Sequence, residues 1–352
     1  MKAAQYENFE KMSLQDRSDI FSIVADNRGI QPAYAEKDYW ICRVLDVLMR
    51  ERPYMPKCYF KGGTSLSKGF QLISRFSEDI DIIYDRAHLG FGGDADPTDL
   101  TKTISKNARE RAVRDLAEKA ANYTRVGLCR KLRTKLPSCA ITVEGERPEQ
   151  VCAFVEYESV FEKDEYVSNR VKIEGGARGA LMPHTHCKIT PYIEEEYPGK
   201  FGLSIDRVTV IEPRRTFLEK LVAIHGFNHK RTSDAAAGIA MDANRFSRHF
   251  YDISMLAGSE HGRRAVADMA LLDNVVAHSS HMFRGAAYRY DLAVPATIKL
   301  MPDAEVKLVL EKDYANMRGM MYGNPPSFDD IMQKVTSVEL DLRKLAEGAA
   351  AA

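Results

Sequence analysis

The sequence predicts an α+β protein: a core built on a mixed sheet, then a mainly helical C-terminal lobe. Three observations carry this. Four extended segments, 139–144, 150–158, 170–174 and 188–193, follow one another with little intervening helix, the order of an α+β core and not of a doubly wound fold. Earlier, an aromatic strand (Cys58-Tyr59-Phe60-Lys61) is broken by Gly62-Gly63 and followed by a second strand, Glu78 to Tyr84. From about Arg214 the apolar spacing becomes helical to the end of the chain,. The boundary is expected near residue 205, giving a core over 1–205 with N-terminal helices and a helical lobe over 206–352 that completes the active site. A chain of 352 residues is long enough for two such lobes.

Taken in order, residues 13–26 and 34–51 read as helices, the second with apolar positions at threes and fours from Tyr34 to Leu48,. After Gly62-Gly63, Thr64 or Ser65 can cap a helix running to about Ile73,. A loop rich in Gly, Asp and Pro (90–98) leads into an amphipathic helix or helix pair over Lys102 to Lys135, with eleven Lys and Arg against three acids. That basic segment reads either as a surface for a phosphate backbone or as a solvated helix face balanced by acids elsewhere. Helices are expected at 214–229, 243–257, 262–281, 302–320 and 327–346, and Gly348 to Ala352 as a frayed tail,.

Bulk composition excludes several classes. Apolar and charged fractions of 45% and 28% are those of an ordinary globular chain,. Fifty basic and fifty acidic residues cancel, so nucleic-acid affinity has to come from local patches. The six cysteines (Cys42, Cys58, Cys129, Cys139, Cys152, Cys187) form no CxxC pair, which argues against a zinc ribbon or a disulfide framework and suits a reducing compartment. No run approaches the ~18 apolar residues of a membrane span and the N-terminus lacks a signal-peptide core,, so a cytoplasmic protein with no membrane partner is expected.

The chemistry concentrates in Lys61-Gly62-Gly63-Thr64-Ser65-Leu66-Ser67-Lys68 and Arg75-Phe76-Ser77-Glu78-Asp79-Ile80-Asp81-Ile82-Ile83. Asp79 and Asp81, two apart on a strand, project from one face while Ile80, Ile82 and Ile83 anchor it. Two carboxylates on one face can share a divalent ion, Mg2+ or alternatively Mn2+, together with phosphate oxygens and water. Gly62 and Gly63 clear space for triphosphate oxygens to reach backbone N–H groups at a helix start, and Thr64 and Ser65 add hydroxyl donors. Lys68, one turn on, reads either as a neutraliser of phosphate charge or as a solvated lysine. The layout is that of a nucleoside triphosphate (NTP) site with its metal.

These two segments resemble the first motif of the nucleotidyltransferase superfamily of the DNA polymerase β type, in the version found in AbiEii/AbiGii abortive-infection toxins. Glu36-Lys37-Asp38-Tyr39-Trp40 resembles the EKD-aromatic segment of their N-terminal helix, and Met321-Tyr322-Gly323-Asn324-Pro325-Pro326-Ser327-Phe328 the PPSF segment of a larger subgroup. Arg215-Thr216-Phe217-Leu218-Glu219-Lys220 resembles the helix with an essential lysine, and Arg245-Phe246-Ser247-Arg248-His249-Phe250-Tyr251-Asp252 the segment with a late aspartate. The resemblance implies metal binding by Asp79 and Asp81, triphosphate contact by Gly63, Thr64 and Lys220, and a catalytic or positioning role for Asp252. His249 stands where the family often has an earlier aspartate. Arg75 and Ser77, kept before the acids, are expected to wall the site. Sites of this superfamily usually draw a third carboxylate from a neighbouring strand, for which Glu174 is the candidate; the other reading is a surface glutamate at a strand end. His184 and His186, and the pair His225 and His229, have ligand-like spacing, but strand and core packing are the preferred readings.

The function expected is transfer of a nucleoside monophosphate from an NTP to an RNA acceptor, with the tRNA 3′ end leading by resemblance. A protein or small-molecule acceptor, or a non-catalytic NTP-binding module, are the alternatives. The resemblance also implies a co-encoded antitoxin and a role in bacterial antiviral defence.

Overall fold

The strands are β1 (Cys58–Lys61), β2 (Asp79–Tyr84), β3 (Ala140–Glu144), β4 (Cys152–Glu156), β5 (Arg170–Gly176), β6 (His184–Ile189) and β7 (Ile205–Ile211). They form one mixed sheet in the order β3-β4-β5-β2-β1-β7-β6. The computed structural model describes residues 2–50, 55–162, 167–236 and 245–351. Contacts divide the chain into two compact units, the first comprising Met1–Gln71, Phe76–Asp99 and Thr103–Ile211, the second Leu72–Arg75, Leu100–Lys102 and Glu212–Ala352. The first unit thus runs past position 205, where the sequence places the boundary, because β7 pairs with β1 and β6.

In the first unit, β2 runs antiparallel to β1 and parallel to β5. Ile80, Ile82, Val171 and Ile173 are buried while the residues alternating with them, Asp79, Asp81, Lys172 and Glu174, are half-exposed, as the two-residue period of a strand dictates. Helices α1 (Lys2–Glu10), α2 (Leu14–Arg28) and α3 (Pro32–Met49) precede the sheet. Every residue of α3 from Tyr34 to Leu48 is buried, so its charges must find partners inside the protein.

They do. Glu36 accepts hydrogen bonds from the Ser159 hydroxyl (2.5 Å) and the Val160 N–H (3.0 Å). Lys37 donates to the Ser168 and Arg170 carbonyls, both at 2.5 Å, and lies 3.8 Å from Glu78. Asp38 accepts from the Tyr192 N–H (2.6 Å) and pairs with Lys68 at 2.9 Å.

The basic segment folds as α4 (Lys106–Tyr123), a π-turn over Thr124–Leu128, and α5 (Cys129–Lys135). Two of its cations are buried and structural. Arg109 donates to the Pro97 and Asp99 carbonyls, and Lys131 donates to those of Leu48 and Arg50, closing the C-terminal end of α3,. Lys106, Arg111, Arg114, Lys119, Arg125, Arg130, Arg133 and Lys135 are exposed.

The second unit holds α7 (Pro213–Ala236), α8 (Ser247–Ala257), α9 (Glu260–Ala267), α10 (Met269–Met282), α11 (Ala304–Asn316) and α12 (Phe328–Ala351), after the short α6 (Tyr192–Glu196) of the first. Asp313 of α11 accepts from the Arg245 and Ser247 N–H groups and so caps α8 from another helix,. The segment before Phe76 belongs here: Arg75 bridges Met321 antiparallel, the Tyr322 N–H donates to the Ser74 carbonyl, and the Ser74 N–H donates to the Tyr251 hydroxyl.

Four expectations need correction. Residues 348–351, expected as a frayed tail, continue helix α12. The helix after the glycine pair stops at Gly69, not Ile73, because Leu72–Arg75 is drawn into extended pairing. The strand expected at 188–193 lies at His184–Ile189, and Pro191 starts helix α6 at Tyr192–Glu196. Residues 262–281 form two helices, broken where the Asp268 side chain caps Leu271 N–H. Position 51 of the second expected helix, positions 243–244 of the α8 expectation and Ala352 of the tail lie outside the described residues.

Lys68 and Asp38 are both almost wholly buried, with side chains 6% and 3% exposed. Replacing Lys68 by Met leaves an uncompensated buried carboxylate, and the expected cost is about 3 kcal/mol. Urea unfolding of wild type and Lys68→Met checks it; unchanged stability with weakened NTP binding would instead give Lys68 to the phosphate.

Candidate active site

The glycine turn is shaped by the carboxylate beside it. Lys61 of β1 faces Asp81 of β2 in register, and Gly62 follows with a φ of 78°, a left-handed conformation that suits glycine. A Cβ on Gly62 would lie 1.9 Å from Asp81 Oδ2. Only a residue without a side chain lets this carboxylate lie against the turn.

The turn's hydroxyls are engaged by backbone. Buried Thr64 donates to the Asp79 carbonyl at 2.5 Å and lies 3.2 Å from that of Ser77. Ser65 donates to the Gly62 carbonyl (2.9 Å) and Ser67 to that of Thr64 (3.2 Å). Thr64 therefore ties the turn to the first residue of β2, and with Gly63 also buried the turn is a rigid support for the two aspartates. Lys68 points elsewhere, into the ion pair with Asp38 and to within 3.5 Å of Glu195.

Strand register assembles the rest of this face. On parallel β5, Lys172 is the partner of Asp79 and Glu174 that of Asp81; on β4, Cys152 is the partner of Glu174. Register partners share a face and lie ~4.8 Å apart, so Asp79, Asp81 and Glu174 sit together on one side. Lys172 Nζ lies 2.5 Å from Glu174 Oε1. Burial works against the Lys172 charge, but the hydrogen bond that Lys172 donates to Glu174 and the negative charge of Glu174 outweigh it and raise the lysine's pKa. Gly175, next along, is required because the Tyr84 hydroxyl would meet its Cβ at 2.0 Å.

A donor set of carboxylate oxygens suits a hard divalent cation such as Mg2+. Among the described residues no group of three or more His, Cys, Asp or Glu side chains is already arranged to hold one. The two aspartates would be completed by substrate oxygens.

A second charged centre lies in the helical unit. Asp252 of α8 is fully buried and bound by Arg75 through two parallel bonds, Nε to Oδ1 at 2.8 Å and Nη2 to Oδ2 at 2.9 Å. Lys220 Nζ of α7 is 2.9 Å from Oδ2 and 3.3 Å from His249 Nδ1. Burial pushes the Asp252 carboxyl up, but Arg75 and Lys220 overcome it and hold it well below the usual carboxylate range. Lys220 has one carboxylate to share with Arg75, so burial dominates and its pKa falls. Burial, then the charges of Lys220 and Arg248, drive His249 far below its ordinary value, so its imidazole is neutral and can accept from the lysine.

Of the residues singled out in the sequence, Gly62, Gly63, Thr64, Ser65, Ser77, Asp79, Asp81 and Glu174 belong to the sheet unit, and Arg75, Lys220 and Asp252 to the helical one. One histidine of each pair is engaged structurally. His225 accepts from the Lys299 N–H at Nδ1 and donates to the Arg289 carbonyl from Nε2, leaving no nitrogen for a metal. His184 bonds the Leu181 carbonyl and packs edge-on against Tyr59. Sequence reasoning missed Lys172 and His249 as site residues. The alternation of Lys172 with Glu174 around buried Ile173 was the available signal for the first.

The model of the nucleotidyl transferase AbiEii toxin family, described as a type IV toxin–antitoxin system, matches residues 43–334. The chain belongs to this family. It is therefore a nucleotidyltransferase of the toxin class. No curated protein matches it in sequence. Among solved structures, MenT4, a nucleotidyltransferase toxin from Mycobacterium tuberculosis H37Rv, is 12% identical over 86% of this chain and 99% of that one, with a TM-score of 0.38, an overlay too loose to bear on individual residues.

Two outcomes follow for this AbiEii-family chain. Gly62→Ala forces Asp81 off its position, and transfer activity should fall on the order of 100-fold in a labelled-NTP assay. Asp252→Asn should destabilise the protein by about 3 kcal/mol at pH 7. Because the folded carboxyl titrates below its unfolded value of ~3.9, this stability is present above that pH and lost as pH falls through the folded value. The gap between wild type and Asp252→Asn in urea should therefore narrow below about pH 4; a gap constant with pH would show that the charge does not stabilise the fold.

Proposed function

We propose that this AbiEii-family enzyme transfers a nucleoside monophosphate from an NTP to the 3′ end of an RNA, with tRNA as acceptor, in the presence of Mg2+. The observation that carries the reading is the alignment of Asp79 and Asp81 with Glu174 on one half-exposed face, Asp81 lying against Gly62. Asp79 and Asp81 would hold the cation, which when bound would neutralise triphosphate charge and favour in-line displacement. The acceptor 3′-oxygen forms a bond to the α-phosphorus, the bond from that phosphorus to the bridging oxygen breaks, pyrophosphate leaves, and the hydroxyl proton passes to water.

Gly62, Gly63, Thr64 and Ser65 shape the cradle for the triphosphate, with Ser77 at its wall. Lys220 contributes positive charge toward phosphate, and Asp252, clamped by Arg75, positions it; these are the roles the family resemblance implies. Nothing in the geometry gives Lys68 a share in them. The exposed cations of α4 and α5 support an acceptor with a phosphodiester backbone. A co-encoded antitoxin, a role in antiviral defence and a cytoplasmic location complete the proposal; among the described residues no helix is long and apolar enough to cross a membrane.

Purified protein incubated with each labelled NTP, Mg2+ and total tRNA should label tRNA 3′ ends with at least one nucleotide, and Asp81→Ala should lower the yield at least about 100-fold. Label on protein or on a small molecule, with none on RNA, would move the acceptor to those classes; equal transfer by Asp81→Ala would sink the catalytic assignment.

A further inference from the structure

The carboxylate face contains a cation of its own. Asp79, Asp81 and Glu174 bring three negative charges onto two adjacent strands, and like charges held this close raise one another's energy. Lys172 stands among them: it is the cross-strand partner of Asp79 and closes on Glu174 at 2.5 Å. Lys172 and Glu174 are separated by one residue on the same strand, so their side chains share a face and the contact needs no distortion of the backbone. Both remain partly open, with side chains 35% and 43% exposed, so the pair can separate and re-form in contact with solvent.

We propose that Lys172 is the internal counter-ion of this metal site, occupying the side of the carboxylate cluster where Glu174 would otherwise serve a divalent cation. This rests on the reading of Asp79 and Asp81 as metal ligands. Lys61 of β1, in register with Asp81, also belongs to this face, and Lys172 is the cation that closes on Glu174. In the free enzyme the lysine keeps Glu174 masked. A second ion, or the metal arriving with a nucleotide, has to displace an ammonium from Glu174 first. Lys172 is a positioning residue here, acting through Glu174.

The test is a Mn2+ titration of the full-length protein without nucleotide, following free Mn2+ by electron paramagnetic resonance, with circular dichroism to check folding. Wild type should bind one Mn2+ per chain. Lys172→Met should bind roughly tenfold more tightly or take up a second ion, and Lys172→Arg should return to wild-type behaviour. Lys172→Met combined with Glu174→Gln should lose the gain, because the unmasked carboxylate is gone. If Lys172→Met binds Mn2+ like wild type, the counter-ion assignment is overturned while the aspartate site stands. If neither wild type nor Lys172→Met binds Mn2+, the metal reading of Asp79 and Asp81 fails and takes the assignment with it. Unchanged Mn2+ binding with a raised NTP KM would give the lysine to the phosphates and likewise overturn it.

Discussion

Three consecutive charges inside a buried helix fix the geometry on which the sheet face depends. Glu36, Lys37 and Asp38 are each ~100° apart around α3, so they reach in three directions. One holds the segment after β4 through Ser159 and Val160. The next holds the approach to β5 through the Ser168 and Arg170 carbonyls and lies beside Glu78 at the start of β2. The third holds Lys68 at the end of the glycine turn and the first N–H of α6. A buried charge is costly unless paired, so each contact specifies one arrangement of chain around it. The starts of β2 and β5 and the glycine turn are thereby pinned to the same helix.

With those three points fixed, a short list of local constraints produces the carboxylate face. The β2–β5 register sets Glu174 beside Asp81, the Thr64 hydroxyl ties the turn to Asp79, and the bare Gly62 leaves room for Asp81. All of these contacts decide where the carboxylates stand. Preorganisation of this kind keeps the cost of arranging charge out of the reaction itself.

Elements with a strong local period were legible in the sequence. The alternation of Asp79-Ile80-Asp81-Ile82 gave strand and face together, and the apolar spacing of Tyr34 to Leu48 gave α3. What was not legible depended on partners distant in the chain. Strand β7 carries Asp206-Arg207 at its exposed end, which hides its alternation until β1 and β6 supply the pairing. Lys68 read either as a neutraliser of phosphate charge or as a solvated lysine, because nothing local shows that Asp38 waits for it. A clue was present nonetheless: Glu36, Lys37 and Asp38 in succession spread over about 200° of the helix, so a helix packed through its apolar positions cannot turn all three to solvent and requires opposite charges and carbonyls from elsewhere in the fold. Arg75 stood out through its motif, but its partner Asp252 lies 177 residues away.

The charge balance around Asp252 is informative about its purpose. A buried carboxylate is already compensated by one arginine in the two-bond geometry that Arg75 makes, the strongest such pairing available to a protein. Stability alone gives no reason to bury Lys220 against the same carboxylate. Its presence sets a second cation on one carboxylate; burial, and then the Arg75 charge, lower the affinity of Lys220 for its proton. Neutral His249 helps to solvate the ammonium without cancelling its charge. A buried cation that has to share its carboxylate is a cost to the folded state, and an approaching anion would relieve it. The phosphate role proposed for Lys220 would draw on this arrangement: Arg75 and Lys220 share Asp252, and Asp252 orients Lys220.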